Sequence, residues 1–448
     1  MLTTEQACDR AADIVARAKA AGADAADAVF AADRMLSVSV RMGALEDVER
    51  SESEELGLRV FAGRRSASVS TSDLSGAALD TLVERALAMA REAPEDEWAG
   101  LAPAERLLRG SPPLLDLDDG ASDSPEALKA RALATEDAAR AVSGVTNSEG
   151  GSASLSRAVM AIATSHGFAA GYAQTSHGLS ASVLAGTGSG MERDYAHHSA
   201  RHAATLDAPE AIGRLAGERA VARLNPQKIA SGAMPVVFDR RVSSGMLGHL
   251  LGAIAGSAIT RKTSFLLDAL GTQVFARGVT IRDDPHRPRG LRSRPFDGEG
   301  LPVQPLKLVD DGMLETWLLD SASARQLGLE PTGHASRGIG GAPGVAPSNL
   351  FMQAGHIPPE TLIAEIDYGV LVTELIGQGV NGITGDYSRG AAGFLIEKGE
   401  ITRPVSEITI ASNLKDMFRA LTPANDLEFR YGINAPTLRI DGMTIAGD

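Results

Sequence analysis

The chain has 448 residues, of which 44% are apolar and 22% charged, and its formal net charge is −14. A globular chain of this length is expected to form two or three domains. The excess of acidic residues argues against nucleic acid or an anionic membrane as a partner, and no basic patch interleaved with aromatic residues offsets it. No run of 18 apolar residues could span a bilayer.

Cysteine usage indicates the compartment. Cys8 is the single cysteine, which excludes a disulfide framework and fits a reducing environment. Residues 1–7 have neither the basic segment nor the apolar segment of a signal peptide. We therefore expect a cytoplasmic protein. Because Cys8 lies in an alanine-rich amphipathic segment, we interpret it as a small apolar side chain.

The first 110 residues combine helical and strand patterns and are predicted to form an N-terminal α+β domain over 1–110. The polar and apolar periodicities, with Gly and Pro as breaks, define its elements. They predict a helix over 4–21, a strand over 36–41, a strand pair over 56–70, a helix over 73–93 and a Pro-rich acidic linker over 93–113.

A middle domain over 111–224 is predicted from a helix and a β-meander. The helix spans about 124–142, with Pro125 in its first turn, and a second helix spans 209–224. Between them, residues 147–204 read as short strands with Gly turns, and the sequence Thr-Ser-His-Gly occurs twice. We interpret the histidines of these repeats, His166 and His177, as solvated turn residues.

The remaining chain, 225–448, is predicted to be a β-rich domain. Strand patterns such as 234–238, 369–375 and 407–410 alternate with Gly and Pro turns, which favours a twisted or barrel-like, mainly antiparallel arrangement. The predicted fold class is therefore α+β, with an N-terminal α/β region followed by a mainly antiparallel C-terminal domain that carries a glycine-striped helix.

That helix is the most informative segment of the sequence. Residues 241–256 have helical length and apolarity, yet Gly248, Gly252 and Gly256 recur every four residues on one face. Each glycine inside a helix costs roughly 1 kcal/mol relative to alanine. A face without Cβ atoms allows another backbone to approach closely. Tight helix packing is one interpretation, and a functional approach by a partner or ligand is the other.

Three segments point to a family. Residues 257–271, 380–390 and 393–399 resemble the TldD/TldE family, on its TldE (PmbA) side, and the resemblance covers nearly the whole chain. In TldD-type subunits the matching helix carries His-Glu-x-x-x-His before a basic pair like Arg261-Lys262. Counted back from that pair, the first metal histidine falls on Gly248, the glutamate on His249, and the second histidine, five residues after the first, on Ala253, next to Gly252. The resemblance also implies a cysteine ligand near the C-terminus, where this chain has none.

The resemblance implies a non-catalytic subunit of a zinc metallopeptidase complex that acts on peptides or unfolded segments. A TldD-like partner would supply the zinc, so no cofactor and no metal ligand is expected in this chain. Peptide would be the substrate, with neither nucleic acid nor membrane as a partner. Substrate or interface contacts are expected from the following residues: Gly248, Gly252, Gly256, Arg261, Asp386, Ser388 and Arg389.

Two alternatives remain open from the sequence. One is a stand-alone peptide-binding or scaffold protein, including a homodimer, without peptidase activity. The other is a self-sufficient hydrolase that uses His249 or Ser388, although no G-x-S-x-G motif is present.

Other motifs are weaker. His198 and His202 have the i, i+4 spacing of metal ligands, but together with His197 they follow a strand pattern, on which that spacing is too long for one ion. Residues 377–382 match G-x-G-x-x-G, with Glu397 further on, yet turn and strand residues follow instead of a helix. Residues 283–290 are charged and Pro-rich, and we expect a solvent loop that could contact a partner.

Overall fold

The computed structural model describes residues 2–447. Its N-terminal part, up to about residue 224, is one six-stranded antiparallel sheet in the order β3-β2-β1-β4-β5-β6, with four helices. The strands are β1 Ala25–Arg41, β2 Ala44–Ala62, β3 Arg65–Thr71, β4 Val145–Thr164, β5 Ala169–Ala185 and β6 Glu192–Ala200. The helices are α1 Thr4–Ala20, α2 Gly76–Glu92, α3 Pro125–Arg140 and α4 Pro209–Ala222.

The four helices cover one face of this sheet. α1 begins with a capping box formed by Thr3 and Gln6, and the hydroxyls of Ser75 and Ser124 cap α2 and α3. Alternating side chains of the strands meet the apolar stripes of the helices in two adjoining clusters, one under α1 and α2 and one under α3 and α4. The opposite face packs through residues such as Ile162 against Phe296 and Leu301 of the C-terminal part.

The C-terminal part contains two larger sheets around one core. Its helices are α5 Arg240–Ile254, α6 Gly256–Thr260, α7 Ser321–Leu327, α8 Pro359–Ala364 and α9 Leu414–Ala420. Its strands are β7 Gly232–Phe238, β8 Ile281–Asp284, β9 Leu306–Asp310, β10 Met313–Leu314, β11 Ala335–Ser336, β12 Gly344–Val345, β13 Asn349–Met352, β14 Tyr368–Ile376, β15 Asp386–Glu397, β16 Glu400–Asn413, β17 Leu421–Pro423, β18 Ile433–Asn434 and β19 Leu438–Ala446.

One of these sheets closes on itself. Its order is β16-β15-β14-β7-β19-β17, and β16 also pairs with β19, so five strands form a ring. All pairings in the ring are antiparallel except β14 with β7. The second sheet, β10-β9-β8-β13-β18, contributes to the same hydrophobic core, and so does the buried side of α5. The ring and the second sheet therefore fix α5 in place from its inner side.

The α+β fold class predicted from the sequence is confirmed, including a barrel-like C-terminal part. β1 pairs with β2 on one edge and with β4 on the other, so the segments 1–110 and 111–224 share one sheet. The boundaries at 110 and 224 stay a prediction. The predicted linker, 93–113, is largely irregular but held in place, because the Arg325 guanidinium donates to the carbonyls of Trp98, Gly100 and Leu101 at 2.7–3.1 Å.

Two loop predictions were wrong in part: His166 and residues 285–290 lie in loops, but His177 and Asp283 do not. His177 is buried in β5, where its Nε2 lies 2.8 Å from Asp119 Oδ2; only His166 is at an exposed turn. Asp283 is buried in β8 and accepts a hydrogen bond from the Ser348 hydroxyl at 2.5 Å. In both cases the buried side chain has a hydrogen-bond partner more than 50 residues away in the sequence, which a local pattern cannot reveal. Within residues 2–447, no helix is long and apolar enough to cross a membrane.

Glycine allows α4 to approach α3 closely. A Cβ at Gly213 would overlap the carbonyl oxygen of Thr135 and lie 2.9 Å from Ala138 Cβ. We expect Gly213→Ala to destabilise the fold by about 1–3 kcal/mol, because neither backbone can move freely. The shift of the urea midpoint measures this. Gly76→Ala, where a Cβ would meet nothing within 4 Å, is the control; an equal effect of both variants would contradict the explanation.

Candidate functional site

Helix α5 presents one buried and one open face. It begins after Asp239, whose carboxylate accepts from the Arg241 backbone N–H at 2.8 Å. Its apolar side faces the core through Ser243, Met246, Leu247, Leu250, Ala253 and Ile254. On the opposite side Gly245, Gly248 and Gly252 follow each other at the i, i+3 and i+7 spacing of one helix face. The outer surface of α5 is therefore bare backbone over two turns.

The predicted three-glycine stripe does not lie on a single helix. α5 ends at Ile254, Ala255 is extended, and Gly256 begins the separate helix α6. Gly256 is buried, and a Cβ there would overlap the Ser323 side chain of α7, so close packing explains this glycine. Gly248 and Gly252 are exposed, and a Cβ at either would meet nothing within 4 Å. Packing within the chain explains neither of these two.

Beside this open face, three polar side chains come together. His249 projects from α5 toward strand β15, where its ring meets Tyr387 edge-on with centroids 5.6 Å apart. Arg389 follows Tyr387 by two residues on the same side of the strand and acts electrostatically on both. The Nε2 of His249, the hydroxyl of Tyr387 and the Nε of Arg389 are all buried and have no hydrogen-bond partner within residues 2–447. Buried polar atoms are normally paired, so three unpaired polar atoms in neighbouring side chains call for an explanation.

Their protonation states make the cluster a set of hydrogen-bond donors. Burial, and next the charge of Arg389, lowers the pKa of His249, so its imidazole is neutral at pH 7 and carries one N–H. Burial raises the pKa of Tyr387 to about 12, so its hydroxyl keeps its proton. With the permanent cation of Arg389, the cluster can donate to a carbonyl or carboxylate oxygen. The same cation makes it unfavourable for a metal ion.

The other predicted site residues lie around the same edge but point elsewhere. Asp386 and Ser388 alternate with Tyr387 and Arg389 along β15 and are exposed on its other side. Asp386 accepts from the Thr384 hydroxyl at 2.6 Å and from Asn413 Nδ2 at 3.1 Å, which lowers its pKa. Because Ser388 and His249 lie on opposite sides of a strand, they do not form a nucleophile–base pair.

Arg261 is exposed at the end of α6. The chain that follows it reaches the turn before β15, where the Phe265 N–H donates to the carbonyl of Gly382 at 2.9 Å. The structure thus brings the segment of Arg261 next to the turn that leads to Asp386.

A zinc ligand set is not offered at α5. Helix α5 has no histidine at 248, 252 or 253, and within residues 2–447 no group of three or more His, Cys, Asp or Glu side chains could hold a metal ion. His197 and His198 are in β6 as expected, with His198 3.5 Å from Asp207 and His202 beyond the strand, 3.2 Å from Asp116. Cys8 is half-buried against the core under α1. Residues 377–382 lead into β15 and not into a helix.

The sequence did not predict two features of this region, Tyr387 and a buried ion pair. Tyr387 was not selected, although its alternation with the predicted residues Asp386 and Ser388 would have placed it on the buried side of a strand. The buried ion pair of Asp194 with Arg241, at 2.8 Å, joins β6 to the start of α5 across 47 residues of sequence. No local pattern signals such a pair.

Alanine at the open glycines should stabilise the isolated chain. We expect Gly248→Ala and Gly252→Ala each to raise the free energy of unfolding by about 0.5–1 kcal/mol, because alanine is the better helix former and its methyl group meets open space. The same urea titration that tests Gly213→Ala measures this. A loss of stability in either variant would show that these positions are needed for packing within the chain.

Comparison with known proteins supports one family along the whole chain. Family models for PmbA/TldA metallopeptidase domain 1, central domain and C-terminal domain match residues 26–90, 118–224 and 231–447. Metalloprotease PmbA of Escherichia coli O157:H7 is 43% identical over 426 residues, which cover 95% of this chain and 92% of that protein. The TldD homolog of Haemophilus influenzae is 29% identical over 262 residues, about half of each chain.

Solved structures agree with this assignment. A candidate modulator of DNA gyrase from Bacteroides thetaiotaomicron superposes with a TM-score of 0.91 at 29% identity, and the match covers 100% of both chains. The sequence segments around α5 and β15, the ring of strands and these matches lead to the same conclusion. The chain belongs to the PmbA/TldD family of metallopeptidases.

Proposed function

We propose that this chain is the metal-free subunit of a two-component, cytoplasmic zinc metallopeptidase and that a TldD-type chain supplies the metal site. The observation that carries the proposal is the open face of α5. Gly248 and Ala253 occupy the positions that match the motif's two histidines. On the open face, neither Gly248 nor Gly252 is required by packing within the chain. The chain belongs to a family of metallopeptidases and is similar to a TldD homolog, and both findings support a role in peptide hydrolysis.

The energetic argument starts from what the two glycines cost. Each destabilises a helix by roughly 1 kcal/mol relative to alanine. At Gly256 the close contact with α7 offsets that cost, whereas no contact within the described chain offsets it at Gly248 and Gly252. A close approach from outside would account for both, because a backbone can lie directly against a helix face that has no Cβ atoms. The partner subunit or the bound peptide would make that approach.

The donor cluster gives this face a second function. An extended peptide presents carbonyl oxygens on alternate sides. His249, Tyr387 and Arg389 offer donors without acceptors next to the glycine face, so a carbonyl oxygen arriving there would satisfy them. This mode of binding depends on main-chain groups and is therefore tolerant of sequence, as a peptidase that acts on unfolded segments requires.

Metal content and activity test the proposal directly. We expect this chain, purified alone, to contain almost no zinc and to leave an internally quenched peptide uncleaved. Mixed with a TldD-type chain from the same organism, it should form a complex that holds about one zinc per partner chain and cleaves the peptide. Elemental analysis, size-exclusion chromatography and peptide fluorescence provide the readouts. About one zinc in this chain alone, or peptide cleavage without a partner, would overturn the proposal.

Substitution at the open face tests the role of α5. We expect Gly252→Leu to weaken complex formation or raise the KM for peptide about tenfold, because a bulky side chain blocks the approach of another backbone. Ala88→Leu on the exposed side of α2 is the matched control for an added surface leucine. Wild-type assembly and turnover in Gly252→Leu would exclude the glycine face from function. A homodimer that ignores the TldD-type chain would favour the scaffold alternative.

A further inference from the structure

A cleft of about 550 Å³ opens beside the N-terminal end of α5. One wall is formed by β6 and α4 and contributes Tyr195, His197 and Arg219. The other wall is formed by the start of α5, with Arg241 and Ser244, and by the segment 428–435 that includes Tyr431. The cleft therefore lies at the junction between the N-terminal sheet and the C-terminal ring.

Two arginines of this cleft, Arg214 and Arg219, form no ion pair within residues 2–447, and of these only Arg219 is partly buried. Arg241 pairs with Asp194, Arg240 with Glu428 at 2.6 Å, and Arg430 with Asp207 and Glu428. Arg219 forms no ion pair within residues 2–447 and donates only to the carbonyl of Tyr195, at 3.2 Å. Burial, and next the positive charge of Arg241, lowers the pKa of Arg219. An anion in the cleft would relieve both effects.

Two tyrosines add neutral donors to that cation. His197 lies between them, with ring centroids 5.9 Å from Tyr195 and 5.5 Å from Tyr431. The phenol groups of Tyr195 and Tyr431, which are 40% and 37% exposed, have no hydrogen-bond partner within residues 2–447. Burial raises the pKa of Tyr431, so its hydroxyl remains a donor at neutral pH. A guanidinium with adjacent hydroxyl donors matches the planar, doubly accepting geometry of a carboxylate.

The cleft adjoins α5 one turn before Gly248, the first exposed glycine. Ser244 lines the cleft and lies on the same helix face as Gly248, four residues later. From Ser244 to Gly252 the helix rises roughly 12 Å, which equals about four residues of extended chain. A peptide lying along the glycine face would therefore reach the cleft with one end.

We propose that this cleft binds a carboxylate of the peptide, with Arg219 as the charged anchor and Tyr431 as a hydroxyl donor, so that the peptide lies on α5 in one direction. The proposal rests on the proposed function, since it assumes that peptide lies on α5. A peptide offers two sources of carboxylate, its C-terminus and an acidic side chain. Because the cleft lies at one end of the glycine face, we assign the C-terminal carboxylate to it.

Three peptides of one sequence test the assignment in the assembled complex: the free acid, the C-terminal amide, and the amide with its last residue replaced by glutamate. We expect the amide to show a KM about tenfold above that of the free acid, a difference of about 1.4 kcal/mol. The glutamate peptide should stay near the amide. If it instead recovers the low KM, the carboxylate comes from a side chain, and the assignment to the C-terminus is wrong.

Variants locate the effect in the cleft. Arg219→Gln should remove the discrimination between acid and amide, and Tyr431→Phe, which deletes one hydroxyl and keeps the ring, should reduce it severalfold. Arg85→Gln on the exposed side of α2 is the matched control and should keep the full tenfold difference. Equal KM values of acid and amide in the wild type, or an unchanged difference in Arg219→Gln, would overturn the inference. If no peptide is cleaved by the complex at all, the proposed function fails instead.

Discussion

The buried ion pair of Asp194 with Arg241 fixes the relation between the two parts of the molecule. Asp194 lies on the last strand of the N-terminal sheet with a side chain that is 2% exposed, and Arg241 is the second residue of α5. Arg223 at the end of α4 adds a contact to Asp194 at 3.5 Å and one to Glu374 of β14 at 2.5 Å. Removing one member of such a network leaves a buried charge and typically costs several kcal/mol. This junction fixes the direction of α5, and with it the position of the open face and of the cleft that contains Arg219.

Glycine shows most clearly how far sequence alone leads. Gly213 and Gly217 allow α4 to lie against α3, whereas Gly248 and Gly252 face open space. All four interrupt helices in the same way, and their spacing within each pair is also the same. The two pairs differ in what lies opposite the glycines. Gly213 and Gly217 face another helix of the same chain, whereas no part of the described chain lies opposite Gly248 and Gly252. The sequence predicted the helix and its glycine face, but not which glycines the fold itself requires.

Local elements followed from the sequence because local physics determines them. The helices α1 to α4, with their hydroxyl or proline starts, and the strands β7 and β14 lie close to where the periodicity placed them. Other features depend on partners that are distant in the sequence. They are the single sheet shared by β1, β2 and β4, the break of the striped helix at Ala255, and the burial of His177 and Asp283. In the candidate site His249 and Arg389 could be selected by resemblance, while Tyr387 and the cleft required the fold.

The two donor clusters along α5 share one property: each contains donors that lack acceptors within the described chain. The chain carries a net charge of −14, and most of its buried arginines have carboxylate partners. Around α5, Arg219 and Arg389 have no carboxylate partner within residues 2–447. The buried phenol of Tyr387 and the partly exposed phenol of Tyr431 have no acceptor there either. Leaving buried donors unpaired destabilises a fold unless an external acceptor completes them. Main-chain carbonyls and a terminal carboxylate are the acceptors that every peptide offers, whatever its sequence. In the proposed complex, the same deficit would let one surface hold many different peptides and still orient each of them.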